Sequence, residues 1–254
     1  MTRRQTSAAL VIGLAVWARS MTALALPFEP GEELKMSVSF LSFDVGEVQC
    51  SVQSDQGAHG GHVWPIQVHA RSHGWAGAFY KLDDTVSTRF DPVAMRSEGS
   101  ELLENLGDFH NRETVRINGT SAVVRREFRG NVGEHQETVP QGSMDLLAAV
   151  YRLRAEVPPN GSVVRIPIFT GHKSWEMVAQ VVGRERLKTD AGTFDTLVVR
   201  GQTLFSGKLS TRGDIMVWLS NDDRRLPVRI TAPFAIGKME ATLTAFHSGA
   251  LAQK

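Results

Sequence analysis

The chain has one cysteine, two tyrosines, no excess of either charge, and no long apolar run beyond its first residues. A lone Cys50 excludes an intramolecular disulfide, so stability must rest on core burial. It lies in Glu47-Val48-Gln49-Cys50-Ser51-Val52-Gln53, where Val48, Cys50 and Val52 share a face, and so reads as a small buried hydrophobe. The 28 Lys and Arg balance 27 Asp and Glu, and the basic groupings are pairs such as Arg125-Arg126 and Arg224-Arg225. A nucleic-acid partner is excluded on that pattern, because it needs a basic stripe. No Gly-x-Ser-x-Gly elbow occurs, and Ser97-Glu98-Gly99-Ser100 does not supply one.

What is present begins at the N-terminus. Arg3 and Arg4 precede an apolar run from Ala8 to Ala18, and Ala23-Leu24-Ala25 forms a small-x-small cleavage site. The run is well short of the roughly 20 residues a membrane span needs, so residues 1–25 are expected to be a cleavable signal peptide. Cleavage removes Arg3, Arg4 and Arg19, taking the formal charge from +1 to −2. The mature product, 26–254, is expected to be one all-β domain, free in the periplasm and not membrane-spanning.

The mature chain has mostly a period of two. Leu34–Phe40 alternates cleanly and Gly46 leads into Glu47–Gln53, predicting an opening hairpin. Trp64, Ile66, Val68 and Ala70 give the apolar face of a third strand. Asn118-Gly119 between two alternating runs predicts a type I′ turn with both residues at positive φ. Ser143 is expected to cap a single short helix near 143–155 with Asp145 in its first turn, because Leu146, Leu147, Val150, Tyr151 and Arg154 recur at helical spacing. Pro158-Pro159-Asn160-Gly161 stops it, and strands resume through Lys238–Phe246. Short strands with one helix and no βαβ alternation predict a mainly β fold, an antiparallel barrel-like or strongly bent sheet.

Four histidines, His59, His62, His69 and His73, fall close together. On one strand face His69 and His73 stand about 14 Å apart at roughly 3.4 Å per residue, so a solvated polar face is favoured and no metal site is assigned. Asp222 and Asp223 lack the repeated acidic ligands of a calcium loop and read as turn residues. Asp83-Asp84 and the pair Glu101 and Glu104 are the carboxylates a glycan hydrolase could use.

Phe28-Glu29-Pro30-Gly31-Glu32-Glu33-Leu34, the run Ser143–Arg154, Ala191-Gly192-Thr193-Phe194-Asp195-Thr196 and Val217–Val228 together resemble the exported bacterial proteins grouped as domain of unknown function 3108. The resemblance implies a Gram-negative envelope location and an antiparallel β fold. It brings no activity, cofactor or catalytic residue. The expected function is therefore binding or placing a lipid, glycolipid or polysaccharide of the envelope, without catalysis and without a cofactor. Alternatives are a scaffold subunit with an outer-membrane or periplasmic protein partner, and an envelope glycan or ester hydrolase. The candidate ligand-binding residues are the amphipathic or cationic side chains Trp75, Tyr80, Tyr151, Arg152 and Trp218.

Overall fold

The computed structural model describes residues 26–54, 63–79, 81–205, 208–209, 214–234 and 237–249. The signal-peptide expectation for 1–25 lies outside them. The first meander runs β1 (Glu33–Phe40), β2 (Phe43–Val52), β3 (Trp64–Ser72), helix α1 (Gly74–Phe79), β4 (Asp83–Asp91), β5 (Arg96–Leu106), β6 (Phe109–Asn118), β7 (Ser121–Phe128) and β8 (Asn131–Thr138). Helix α2 (Leu146–Ala155) follows. The second meander runs β9 (Val163–Phe169), β10 (Ser174–Thr189), β11 (Gly192–Phe205), the two-residue β12 (Lys208–Leu209), β13 (Ile215–Ser220), β14 (Pro227–Pro233) and β15 (Lys238–His247).

Every strand pairing is antiparallel, and the order is β8-β7-β6-β5-β4-β3-β2-β1-β15-β14-β13-β11-β10-β9, with β12 paired to β11. The two meanders thus join where the first strand meets the last, from Glu33 opposite His247 to Phe40 opposite Met239. β8 and β9 are the two edges, and α2 carries the chain from one to the other. The sheet is bent and barrel-like but not closed. Just before α2, Met144 bonds the β9 edge through its N–H to Pro167 O (3.1 Å) and its O to Phe169 N–H (3.0 Å).

α2 sits inside the bend. Its Ala148, Ala149 and Tyr151 pack with Val52, Ile66 and Phe90 of the first arm and Ile166, Ile168 and Met177 of the second. The two alanines let helix and sheet approach closely, and each large apolar side chain buried here contributes roughly 1.5–3 kcal/mol. Cys50 packs partly buried against a second cluster with Leu34, Phe194 and Val228, and desolvation pushes its thiol up to about 12.

Local details depart from the sequence reading. The helix cap is Asp145, not Ser143: its carboxylate accepts from Ala148 N–H at 2.9 Å, and helical geometry starts at Leu146. The β6–β7 turn centres on Gly119-Thr120, since Asn118 is still paired with Ser121. Only Gly119 takes positive φ (61°), which fits a type II′ turn. The β1–β2 turn is Leu41-Ser42, at φ 49° and 70°. Gly46 lies within β2, where a side chain would meet the Arg71 carbonyl. α1 adds a second helix, and β8 carries no alternation because all eight of its residues are exposed.

Gly99 in β5 combines φ +147° with a backbone so close to the Val115 carbonyl that a Cβ cannot fit, whereas Gly107 (φ +58°) faces open space. Gly107→Ala is expected to cost about 1 kcal/mol for its left-handed backbone alone. Gly99→Ala should cost clearly more, about 2–3 kcal/mol. Urea unfolding of the two variants tests the ranking, and equal losses would refute it.

Candidate functional site

The helix is held at both ends by buried polar groups. At its C-terminal end Arg154 is 1% exposed and its guanidinium donates to both oxygens of Glu32 at 2.7 Å. It also donates to the carbonyls of Arg225 (3.1 Å), Arg224 (3.2 Å) and Pro27 (3.3 Å). The guanidinium carbon stands 5.2 Å from the Phe28 ring centroid and 4.8 Å from that of Tyr151. Burial alone would lower the pKa of Arg154, and the hydrogen bonds to Glu32 outweigh it and hold it raised. At the N-terminal end Asp145 receives the hydroxyls of Thr88 and Ser97, each at 2.6 Å, besides the Ala148 N–H. Desolvation raises its pKa in spite of those three donors.

Between these anchors one face of α2 stays partly uncovered. Leu146, Val150 and Leu153, spaced i, i+4, i+7, form one wall of a groove of about 250 Å³. Trp175 and Met177 of β10, Val199 of β11, Ile215, Val217 and Leu219 of β13, and Ile230 and Ala232 of β14 form the other. The lining is almost wholly apolar, and Leu146 is 41% exposed at its margin. No titratable side chain reaches into it. Chemically it can solvate a hydrocarbon segment and little else.

Residues 33–244 match the family described as a protein of unknown function, DUF3108. The chain belongs to this family. Among solved structures, the β-barrel-like protein of domain of unknown function DUF1849 from Brucella abortus shares the fold, at TM-score 0.61 and 9% identity over 88% of this chain and 99% of that one. A candidate lipoprotein from Parabacteroides distasonis matches at TM-score 0.35 and 12% identity over 87% and 97% of the two chains. A candidate exported protein with a YmcC-like fold from Bacteroides fragilis matches at 0.33 and 9% over 88% and 98%. No curated protein matches the chain significantly.

The segments that carry the DUF3108 resemblance converge on Arg154. Phe28 and Glu32 come from the first, Arg154 from the second, and the Arg224 and Arg225 carbonyls from the last. The Asp195 carbonyl joins them by accepting from Asn221 N–H at 2.7 Å.

The sequence-predicted site residues do not assemble. Tyr151 is 3% exposed in the core, its ring edge-on to Phe28 at 4.8 Å and its hydroxyl donating to Glu32 at 3.4 Å. Arg152 points outward and pairs with Glu156 at 2.8 Å. Trp218 lies on the opposite face of β13 from the groove residues Val217 and Leu219, with Nε1 donating to Glu185 (2.7 Å) and Arg229 beside its ring. Trp75 falls in α1, and Tyr80 lies outside the described residues. His69 Nε2 meets Asp83 at 2.5 Å and His73 faces Asp44 at 3.5 Å, while His59 and His62 lie outside the described residues. Glu101 accepts from Arg112, Glu104 from Asn111, and Asp84 from Asn105 N–H. Asp222 is bonded by Ser220 and Arg224. Among the described residues no three His, Cys, Asp or Glu side chains are placed to share a metal ion. The groove residues were visible in the sequence as a helical stripe and a strand alternation, and that pattern reads equally as core.

Removing one partner of the Glu32–Arg154 pair strands a buried charge, so Arg154→Met and Glu32→Gln should each cost about 3–5 kcal/mol in urea unfolding. The double variant should lose much less than the two together, and additive losses would refute the coupling. Asp145 gives a pH signature. Its folded-state pKa lies above the 3.8 of an exposed carboxyl, so the folded state holds the proton more tightly. Its contribution to stability is full below pH 3.8 and is lost as pH rises through the folded pKa. Asp145→Asn is therefore expected to gain stability relative to the parent across that window and to run parallel below it. A difference independent of pH would contradict this.

Proposed function

We propose that this DUF3108 protein is an exported, non-enzymatic protein of the cell envelope that holds one acyl chain of an envelope lipid or glycolipid in the groove beside α2. The observation that carries the reading is the apolar lining of that groove in a position the fold leaves uncovered. Its volume, about 250 Å³, is below the roughly 300–1,000 Å³ of pockets that engulf a drug-sized ligand. That size suits a single hydrocarbon tail with its headgroup left outside, and not a polysaccharide. Residues 1–25 support export, with the order basic start, short apolar run and small-x-small site of a cleavable signal peptide, and a periplasmic address follows from it. No helix among the described residues is long and apolar enough to cross a membrane.

Trp175 in the groove wall provides the test. A fatty acid brominated along its chain is expected to quench tryptophan fluorescence saturably in the native protein and not in Trp175→Phe. Leu146→Asp, at the exposed margin, should weaken the quenching at least about tenfold with an unchanged thermal melt. Native mass spectrometry should show a co-purifying amphiphile. The reading fails if neither quenching nor a bound amphiphile is found.

A further inference from the structure

The strand registers gather phenylalanines at one end of the sheet. Phe40 of β1 stands opposite Phe43 of β2, and Phe109 and Phe128 hold the corresponding ends of β6 and β7. Followed from strand to strand, the pairing puts all four on the concave face that also carries Met36, Ile66 and Phe90. Phe234 follows the matching end of β14.

The turns at this end are joined side by side. The Phe234 and Phe40 rings meet edge-on at 5.6 Å, and a side chain at Gly237 would touch Leu41. His73 N–H, just before α1, donates to Val45 O at 3.1 Å, Leu82 N–H to Ser72 Oγ at 2.9 Å, and Gly107 N–H to Lys81 O at 2.9 Å. The Phe109 and Phe128 rings stand 5.1 Å apart. Together they form one rim.

Among the described residues the exposed phenylalanines are Phe43 (60%), Phe109 (40%) and Phe234 (60%), all on this rim, with Leu41 (57%) in its β1–β2 turn. Leu41 also takes φ +49°, a left-handed position that Asn or Gly fills at less cost, so neither burial nor turn chemistry accounts for a leucine there. Lys81, Arg129 and Lys238 are exposed between the apolar side chains. The acids beside them are Asp44, Asp83 and Asp108, and the first two face His73 and His69. Such mixed charge, close to balance, complements a layer of zwitterionic headgroups. The groove beside α2 reaches the same end, because Gly201, Thr203, Ile215 and Ala232 of its lining lie at the matching ends of β11, β13 and β14.

We infer that this rim docks the protein on the surface of a lipid bilayer, with Leu41, Phe43, Phe109 and Phe234 inserted among the acyl chains. Lys81, Arg129 and Lys238 then lie at the level of the phosphates. Docking is peripheral and reversible. It opens the groove onto the membrane that supplies its hydrocarbon chain, and in that part the inference rests on the acyl-chain reading.

The chain from Leu26 onward holds every described element and leaves out the apolar run of residues 8–18, so it is the protein to float with phosphatidylcholine vesicles. It is expected to rise with the vesicles and to stay on them in high salt, because apolar insertion and not charge holds it. Phe43→Ser with Phe234→Ser should weaken partitioning at least about tenfold. Leu41→Asn should weaken it too while keeping or raising the thermal melt, since Asn suits the left-handed turn. The tryptophan added by Phe234→Trp should shift to the blue on vesicles and be quenched by lipids brominated on their acyl chains. Absence of vesicle binding, release by salt, or equal binding by the folded serine pair overturns the proposal. Self-association that the serine pair abolishes, without vesicle binding, overturns it as well and makes the rim a protein interface. Leu146→Asp should leave flotation unchanged. Loss of acyl-chain quenching with intact flotation thus removes the groove alone, and the reverse removes the rim alone.

Discussion

The buried guanidinium of Arg154 sets the terms for the rest of the structure. A cation taken out of water is tolerated only when its donors are met and an opposite charge is close. Here every guanidinium nitrogen is engaged by Glu32 or by a carbonyl, and two aromatic rings lie against it. Those partners come from before β1, from α2 and from the β13–β14 turn. Closing the arrangement therefore requires the β1–β15 seam, the helix and the second meander to be in place together.

Asp145 completes the constraint at the other end of α2. Its carboxylate caps the helix and receives hydroxyls from β4 and β5, so the first turn is tied to the first arm. The last turn is tied by Arg154 to the segment entering β1 and to the second arm. Small residues between the two ties, Ala148 and Ala149, seat the helix on the core they share with both arms.

The strands and the helix were legible because alternation and helical spacing report directly on which side of an element is dry. Segments with no dry side gave no such signal: β8 exposes every residue and α1 has only six. The Glu32–Arg154 pair was beyond reach for another reason. Its partners are 122 residues apart, and an arginine at helical spacing with apolar neighbours looks like the edge of an amphipathic face. Choosing Tyr151 and Trp218 by residue type also misled, because both rings are bound into packing by polar contacts of their own. In β13 the strand period was the better guide, since it puts Trp218 on one side and Val217 and Leu219 on the other.

The position of α2 also explains why an apolar groove persists at all. A helix held only by the hydrophobic effect would roll until Leu146 and Val150 were covered. This one cannot, since rolling would strip Asp145 of the Thr88 and Ser97 hydroxyls at one end and Arg154 of Glu32 at the other, leaving a buried carboxyl without its donors and a buried cation without its partner at a cost of several kcal/mol. Covering the two side chains would return no more than about 1.5–3 kcal/mol each, and less because both are already partly buried. The polar anchors outweigh the apolar gain, and the uncovered face of the helix is what they leave.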